Sequence, residues 1–226
     1  MMQQETVSFV TRYKKALQFA QELPPSSIYH VKEVAKGVHE RTVRRRIKKL
    51  VEIGLAQYNR GQFSIKKEVV SQPINIIEKL IPSFIALVQA RRFGKLYRQS
   101  DINFMMKNLP KNSIITLDYS AHKMTKFQSV NDLYIYVDDV KKIVQFLKTN
   151  NFREGTKGNI VILPKTGSFE NIKERIFLDC VAKGGRSMMD AIAIQIKYKD
   201  EISTKARFTT EMLLKVQEDL PLESIH

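Results

Sequence analysis

The sequence predicts a mixed α/β protein, α+β overall, in which an N-terminal helical unit with a β-hairpin precedes a C-terminal α/β unit. Two patterns predict it. Within the first seventy residues, three stretches with apolar residues at helical spacing precede two short β-rich runs around a glycine. Further on, a strand-like run, an amphipathic helix and a second strand-like run follow one another between 132 and 163. The composition changes after "VVSQP" (69–73), so Pro73 marks the expected boundary, with one domain over 1–70 and the other over 71–226. A chain of 226 residues is long enough for that division and for a core without staples.

The first helix is expected over "VSFVTRYKKALQFAQEL" (7–23), where Phe9, Val10, Tyr13, Leu17, Phe19 and Ala20 share a face. "PPSS" (24–27) ends it, because proline supplies no backbone donor and restricts the residue before it. "IYHVKEVAKGV" (28–38) gives a short second helix with Val31, Val34 and Ala35 inward, closed by Gly37. "HERTVRRRIKKLVEIGL" (39–55) gives the third, with Val43, Ile47, Leu50 and Val51 on one face and Gly54 as its stop. In "LAQYNRGQFSIKK", Ala56, Tyr58, Phe63 and Ile65 flank "NRGQ" (59–62), where Gly61 can take the positive φ of a tight reversal.

Charge is concentrated in this region. The chain carries net +15, which favours polyanionic partners. Residues 32–67 hold eleven Lys/Arg against three acids, a surplus of eight and about half of the whole excess. With Val43 at zero and about 100° per residue, Ile47 and Leu50 fall within about 40° of it. Arg41, Arg45, Lys48 and Lys49 lie between about 140° and 240°, opposite that stripe, and Arg44 and Arg46 flank it. Arg46 is placed to pair with Glu40 or Glu33.

Three helices followed by a two-stranded hairpin make the winged helix-turn-helix arrangement, and "RTVRRRIKKLVEIGL" (41–55) resembles the recognition helix of that family, including its exit into the wing. The resemblance covers about residues 8–68. It implies a helix whose basic face enters the major groove of double-stranded DNA. Arg41, Thr42, Arg44 and Arg45 are then expected in the groove, Lys48 and Lys49 beside phosphates, and Arg60 with Gln62 on the adjacent backbone or minor groove. A solvated basic face, a protein contact or RNA binding are the competing readings.

In the C-terminal unit, "INIIEKLIPSFIALVQARRFG" (74–94) reads as one or two helices with Pro82 at a kink or at the first turn of the second. "SDINFMMKNL" (100–109) reads as a helix capped by Ser100 or Asp101. "SIITLD" (113–118), "DLYIYV" (132–137) and "GNIVIL" (158–163) are β-rich, and "DDVKKIVQFLKTNNF" (138–152) is amphipathic, with Val140, Ile143, Val144 and Leu147 inward. "RIFLDCVAKGG" (175–185) and "SMMDAIAIQIKY" (187–198) are helices about a glycine turn, and "TTEMLLKVQEDL" (209–220) is a last helix. The basic cluster "ARRFGKLYR" (90–98), with Phe93 and Tyr97 interleaved, reads as an extension of the DNA footprint, an acidic-protein contact or a solvated helix end.

The succession "LYIYVDDVKKIVQFLKTNNFREGTKGNIVILP" and "IFLDCVAKGGRSMMDAIAI" resembles the C-terminal domain of AbiEi-type antitoxins. The most specific piece is Leu178, Asp179, Gly184, Gly185, Arg186, Asp190 and Ala191; Cys180 departs from the leucine expected after the aspartate. That resemblance implies an autorepressing antitoxin of a toxin–antitoxin pair, with a nucleotidyltransferase-type toxin as partner. Asp179 and Arg186 have a structural alternative, an internal ion pair or helix-terminal contacts that fix the glycine turn.

Enzyme signatures are weak. A nucleotidyltransferase needs a Gly-Ser turn and a paired Asp-x-Asp for two metals. Gly167 and Ser168 are present and Asp179 follows, but position 181 is valine. A nuclease core built from Asp179 and "QIK" (195–197) is a pattern that chance produces often. There is no phosphate-binding glycine loop, and His30, His39, His122 and His226 lack metal-ligand spacing; His30 and His39 read as helix-end residues. Cys180, the single cysteine, excludes an internal disulfide. No apolar run approaches the roughly 20 residues that span a bilayer, and "MMQQETVSFV" lacks the pattern of a secretory signal. The expectation is a cytoplasmic, non-enzymatic DNA-binding regulator without cofactor or metal. It is expected to be a homodimer on an inverted-repeat operator, joined through helices near 74–92 or 209–220. The alternative is a nucleic-acid-processing enzyme, nuclease or nucleotidyltransferase-like, delivered by its winged helix.

Overall fold

The computed structural model describes residues 13–24, 26–95 and 98–220, which form a mixed helix-and-strand fold with two small sheets. Residues 13–22 are helical (α1) and bury Tyr13, Ala16, Leu17, Phe19 and Ala20. Phe9 and Val10 of the expected helix lie outside the described residues. The expected second helix is only partly helical. Tyr29–His30 form strand β1, and Val31–Val34 form one turn, α2. Tyr29 pairs with Phe63 and His30 with Gln62, and the Tyr29 ring stacks on Phe63 at 5.1 Å. The hairpin offers a free edge, and an aromatic residue beside it gains more from pairing than from a marginal extra helical turn.

Helix α3 spans Glu40–Glu52, and the His39 side chain accepts from the Arg41 amide at 3.1 Å as its cap. Val43, Ile47 and Leu50 are buried, whereas Val51, expected inward, is 40 % exposed. Val51 stands about 80° from Val43 around the helix, beyond the arc the core covers. Strands β2 (Ala56–Asn59) and β3 (Gln62–Ile65) pair antiparallel about Arg60 and Gly61, whose φ values of 46° and 87° give the doubly left-handed reversal that suits a two-residue hairpin. The first sheet has the order β1-β3-β2.

A short helix α4 (Lys67–Val70) follows, and Pro73 caps α5 (Ile74–Val88), one continuous helix with Pro82 inside it. The apolar core does not break at Pro73: Val69, Val70 and the buried face of α5 join residues of α1, α3 and the C-terminal helices in one cluster. Lys67 donates to the carbonyls of Ala20 and Leu23, and Glu68 accepts from the Gly185 amide at 2.9 Å. Gly184 takes a left-handed φ of 67° there, which favours glycine, and a Cβ on it would also crowd Glu68 Oε1 at 2.9 Å.

The second sheet has the order β4-β7-β6-β5 and is formed by β4 (Arg91–Phe93), β5 (Ile114–Thr116), β6 (Leu133–Val137) and β7 (Ile160–Pro164). The parallel pair β6–β7 is bridged by α8 (Val140–Thr149), and the outer pairs are antiparallel. Alternate residues serve opposite faces. Leu133, Ile135, Val137, Ile160 and Ile162 pack in the cluster that includes α8 and α6 (Gln99–Lys107). Tyr134, Tyr136, Val161 and Leu163 face the cluster that includes α5, α7 (Leu117–Thr125), α9 (Ile172–Lys183) and α10 (Arg186–Lys197). A last helix, α11 (Thr210–Asp219), covers the outside of α10. The helix expected over 74–94 stops at Val88 and its end is strand β4. The β run expected over 113–118 gives way at Leu117 to α7, which was not expected. α6 starts after Arg98 with no side-chain cap, so Ser100 and Asp101 do not cap it. Asp101 instead accepts from the Lys95 amide at 3.0 Å.

Candidate nucleic-acid interface

The α3 face opposite the core remains open. Arg41, Arg45 and Lys48 are exposed, and among the described residues their side chains make no hydrogen bond or ion pair. Thr42 and Lys49 are partly buried, and Arg60 and Gln62 are exposed at the hairpin turn. The amphipathic spacing produces this directly. Val43, Ile47 and Leu50 anchor the helix on α1 and the sheet, so residues two positions either side of that stripe must face away.

Arg44 behaves differently from its neighbours. Its guanidinium donates to the Tyr58 hydroxyl at 2.5 Å and to Glu40 at 3.3 Å, which ties α3 to β2. Of the three arginines expected in the groove, Arg41, Arg44 and Arg45, Arg44 is therefore already held. Glu40 is its partner, and not that of Arg46, whose guanidinium lies over the Phe19 ring at 5.5 Å. A cleft of about 540 Å³ lies between α2, α3 and the hairpin, lined by His30, Lys32, Arg44, Tyr58, Arg60 and Gln62. This brings the flank of α3 and the hairpin turn to one surface. Lys32, Tyr58 and His30 were not singled out for this surface from the sequence. Tyr58 was legible as a β residue, but its pairing with Arg44 depends on the hairpin folding back beside α3.

The second basic cluster is not an extension of that surface. Arg91 makes a two-pronged bond to Glu154 at 2.7 and 2.6 Å, and Phe93 is fully buried. Arg92 bonds Asp132, the Gly158 carbonyl and the Tyr134 hydroxyl at 2.8–2.9 Å. These arginines belong to an edge strand and serve the sheet. Tyr97 lies outside the described residues.

Asp179 is a buried structural group, and its partner is Arg175, not Arg186. Arg175 Nε lies 3.0 Å from its carboxylate, one helical turn away. Asp179 also accepts from Ser83 at 2.6 Å, Thr116 at 2.7 Å and Tyr136 at 2.9 Å. The network ties α5, β5, β6 and α9 together. Burial pushes the Asp179 carboxyl and the Tyr136 hydroxyl upward, while Arg175 pulls both down. Asp179 is 1 % exposed, and Gln195 of the "QIK" triplet is occupied by the Ala206 backbone in both directions. Arg186 reaches Gln128 and the Ser129 carbonyl and hydroxyl. These contacts hold the start of α10, as the structural alternative for Arg186 requires.

Among the described residues no cluster of three His, Cys, Asp or Glu side chains could hold a metal, and no helix is long and apolar enough to cross a membrane. Of the two helices expected to join a dimer, α5 buries Ile76, Ile77, Leu80, Ile81 and Phe84 within its own chain. On α11, Leu214 stays 53 % exposed. No family model, curated protein or solved structure matches the chain.

Proposed function

We propose that the protein is a sequence-specific regulator that binds double-stranded DNA through a winged helix-turn-helix unit over 1–70, with α3 as its recognition helix and β2–β3 as its wing. The observation that carries the reading is the open face of α3, where Arg41, Arg45 and Lys48 stand without partners opposite a buried Val43–Ile47–Leu50 stripe. Unpaired cations crowded on one helix repel one another, and a phosphate backbone relieves that repulsion while releasing counterions. An arginine at the N-terminal half of such a helix can grip guanine O6 and N7 in two bonds. The cleft shared by Arg44, Arg60 and Gln62 supports a contact that runs from helix to wing.

The α/β unit over 71–226 then supplies dimerisation, sensing or toxin antagonism. On the resemblance of the "LDCVAKGGR" helix turn, its biological setting is that of an autorepressing AbiEi-like antitoxin opposed to a nucleotidyltransferase-type toxin, acting as a cytoplasmic homodimer. The buried, fully bonded state of Asp179 favours this non-catalytic reading over a nuclease, since no substrate reaches that carboxylate. Selection of bound duplexes from a random pool tests the function. A recovered inverted repeat is expected; a pool that stays random, or a preference for structured RNA at equal salt, contradicts it.

A further inference from the structure

A second polar concavity lies far along the chain from α3, between the sheet and the start of α10. It has about 170 Å³ of free space, and Arg92, Asp118, Tyr134, Lys183, Arg186 and Asp190 line it. Two of its charge pairs are closed: Arg92 with Asp132 at 2.9 Å, and Lys183 with Asp118 at 2.6 Å. The left-handed backbone of Leu117, at φ 53°, turns the chain from β5 into α7 and delivers Asp118 to Lys183. Asp190 is the exception. It is 4 % exposed, and its Oδ1 has no hydrogen-bond partner. A buried carboxylate oxygen normally finds a donor, so this one, open at the wall of a polar cleft, is placed to accept from a bound donor.

The charge balance narrows what that group is. Three cations and three carboxylates line or adjoin the cleft, so a bare dianion would face Asp118, Asp132 and Asp190 as well as the cations. A neutral ligand with separated charges meets both signs. Arg186 and Asp190 stand four residues apart on one side of α10, with Ser187 between them, and the Gly185 amide at the start of α10 is already taken by Glu68. Arg186, whose Nη1 is not used by Gln128 or Ser129, suits an anionic end, and Asp190 suits a cationic one.

We propose that this cleft binds a small zwitterion, an α-amino acid, with its ammonium on Asp190 and its carboxylate at Arg186. The groups that face Asp190 are Asp118 from α7, Lys183 from α9, Arg186 from α10 and Gln128 from the loop between α7 and β6. Burial first, and Asp118 second, push its carboxyl up to about 7. An arriving ammonium ionises it.

The test is calorimetric titration of the full chain, without DNA, against the L-amino acids one at a time, in two buffers of different ionisation enthalpy. Inorganic phosphate and AMP serve as anion controls. At least one amino acid is expected to bind at millimolar concentration or below, to raise the melting temperature, and to release protons on binding near neutral pH. Asp190→Asn keeps the shape and is expected to weaken binding about tenfold or more. Arg186→Gln, which also gives up the bonds to Gln128 and Ser129, is expected to do the same in protein whose melting curve without ligand shows it folded. Failure of every amino acid, or binding indifferent to both substitutions, overturns the site. Tighter binding of phosphate or AMP than of any amino acid overturns the zwitterion. Because DNA is absent, neither result bears on the role proposed for α3.

Discussion

Two sets of arginines in this chain look alike in composition and differ in every physical respect. On α3, Arg41 and Arg45 stand in solvent with no partner among the described residues. In the α/β unit, Arg175 is 4 % exposed and bonds Asp179, Tyr136 and the Thr166 carbonyl, while Arg91 and Arg92 are paired with Glu154 and Asp132. A guanidinium taken out of water must be paired and fully bonded, or the fold loses several kcal/mol. One left in water costs the fold little, but several on one helix face keep a mutual repulsion that an anion relieves. Net charge thus says little about function until each cation is sorted by whether the fold has already used it.

That contrast gives graded predictions. The largest effect belongs to the buried set: Asp179→Ala strands Arg175 and three hydroxyl donors and is expected to cost about 3–5 kcal/mol, measured by urea unfolding. Duplex binding by the fraction that stays folded should be unchanged. A loss below about 1 kcal/mol would mean the network is not the keystone its geometry implies.

Asp190→Asn should shift stability in a pH-dependent way. The folded state holds this carboxyl's proton more tightly than the unfolded chain does, with the pKa raised from 3.8 to about 7. The folded state therefore binds more protons than the unfolded one between those values, and wild-type stability falls as pH rises through that window. The variant lacks that loss. It should match wild type near pH 4 and exceed it above pH 7, by up to about 4 kcal/mol. Parallel stability curves for the two proteins would contradict the assignment.

The exposed set should show the reverse pattern, with binding altered and stability spared. Arg45→Ala should relax base preference by about 1–3 kcal/mol at one operator position, read from competition between matched duplexes. Lys48→Ala should weaken all duplexes alike and reduce the slope of log affinity against log salt by about 1. The smallest effect belongs to Tyr58→Phe, which frees Arg44 from β2; about 1 kcal/mol of stability should be lost, seen as a modest drop in melting temperature.

The helical stripe of α3, the hairpin turn at Arg60–Gly61 and the β6–α8–β7 crossover were legible because each rests on local periodicity or on one residue's backbone freedom. β1, β4 and α7 were not. β1 and β4 are two and three residues long and exist only because a partner edge is present, β3 for one and β7 for the other. α7 begins at a leucine in a left-handed conformation, which no pattern of side chains announces. The exposed cations of the candidate interface were readable from a helical wheel. Which of them the fold restrains was not, because Arg44 meets Tyr58 across fourteen residues and Arg46 meets Phe19 across twenty-seven. For the same reason Asp179 was visible as unusual, while its partner Arg175 was passed over for Arg186.

The most direct test of the central claim is fluorescence anisotropy of the full chain on a selected duplex, comparing wild type with the combined Arg41→Ala, Arg45→Ala, Lys48→Ala variant at moderate salt. The account predicts a loss of affinity of about a hundredfold or more with an unchanged melting temperature. Equal affinity of the two proteins, with both fully folded, would contradict it.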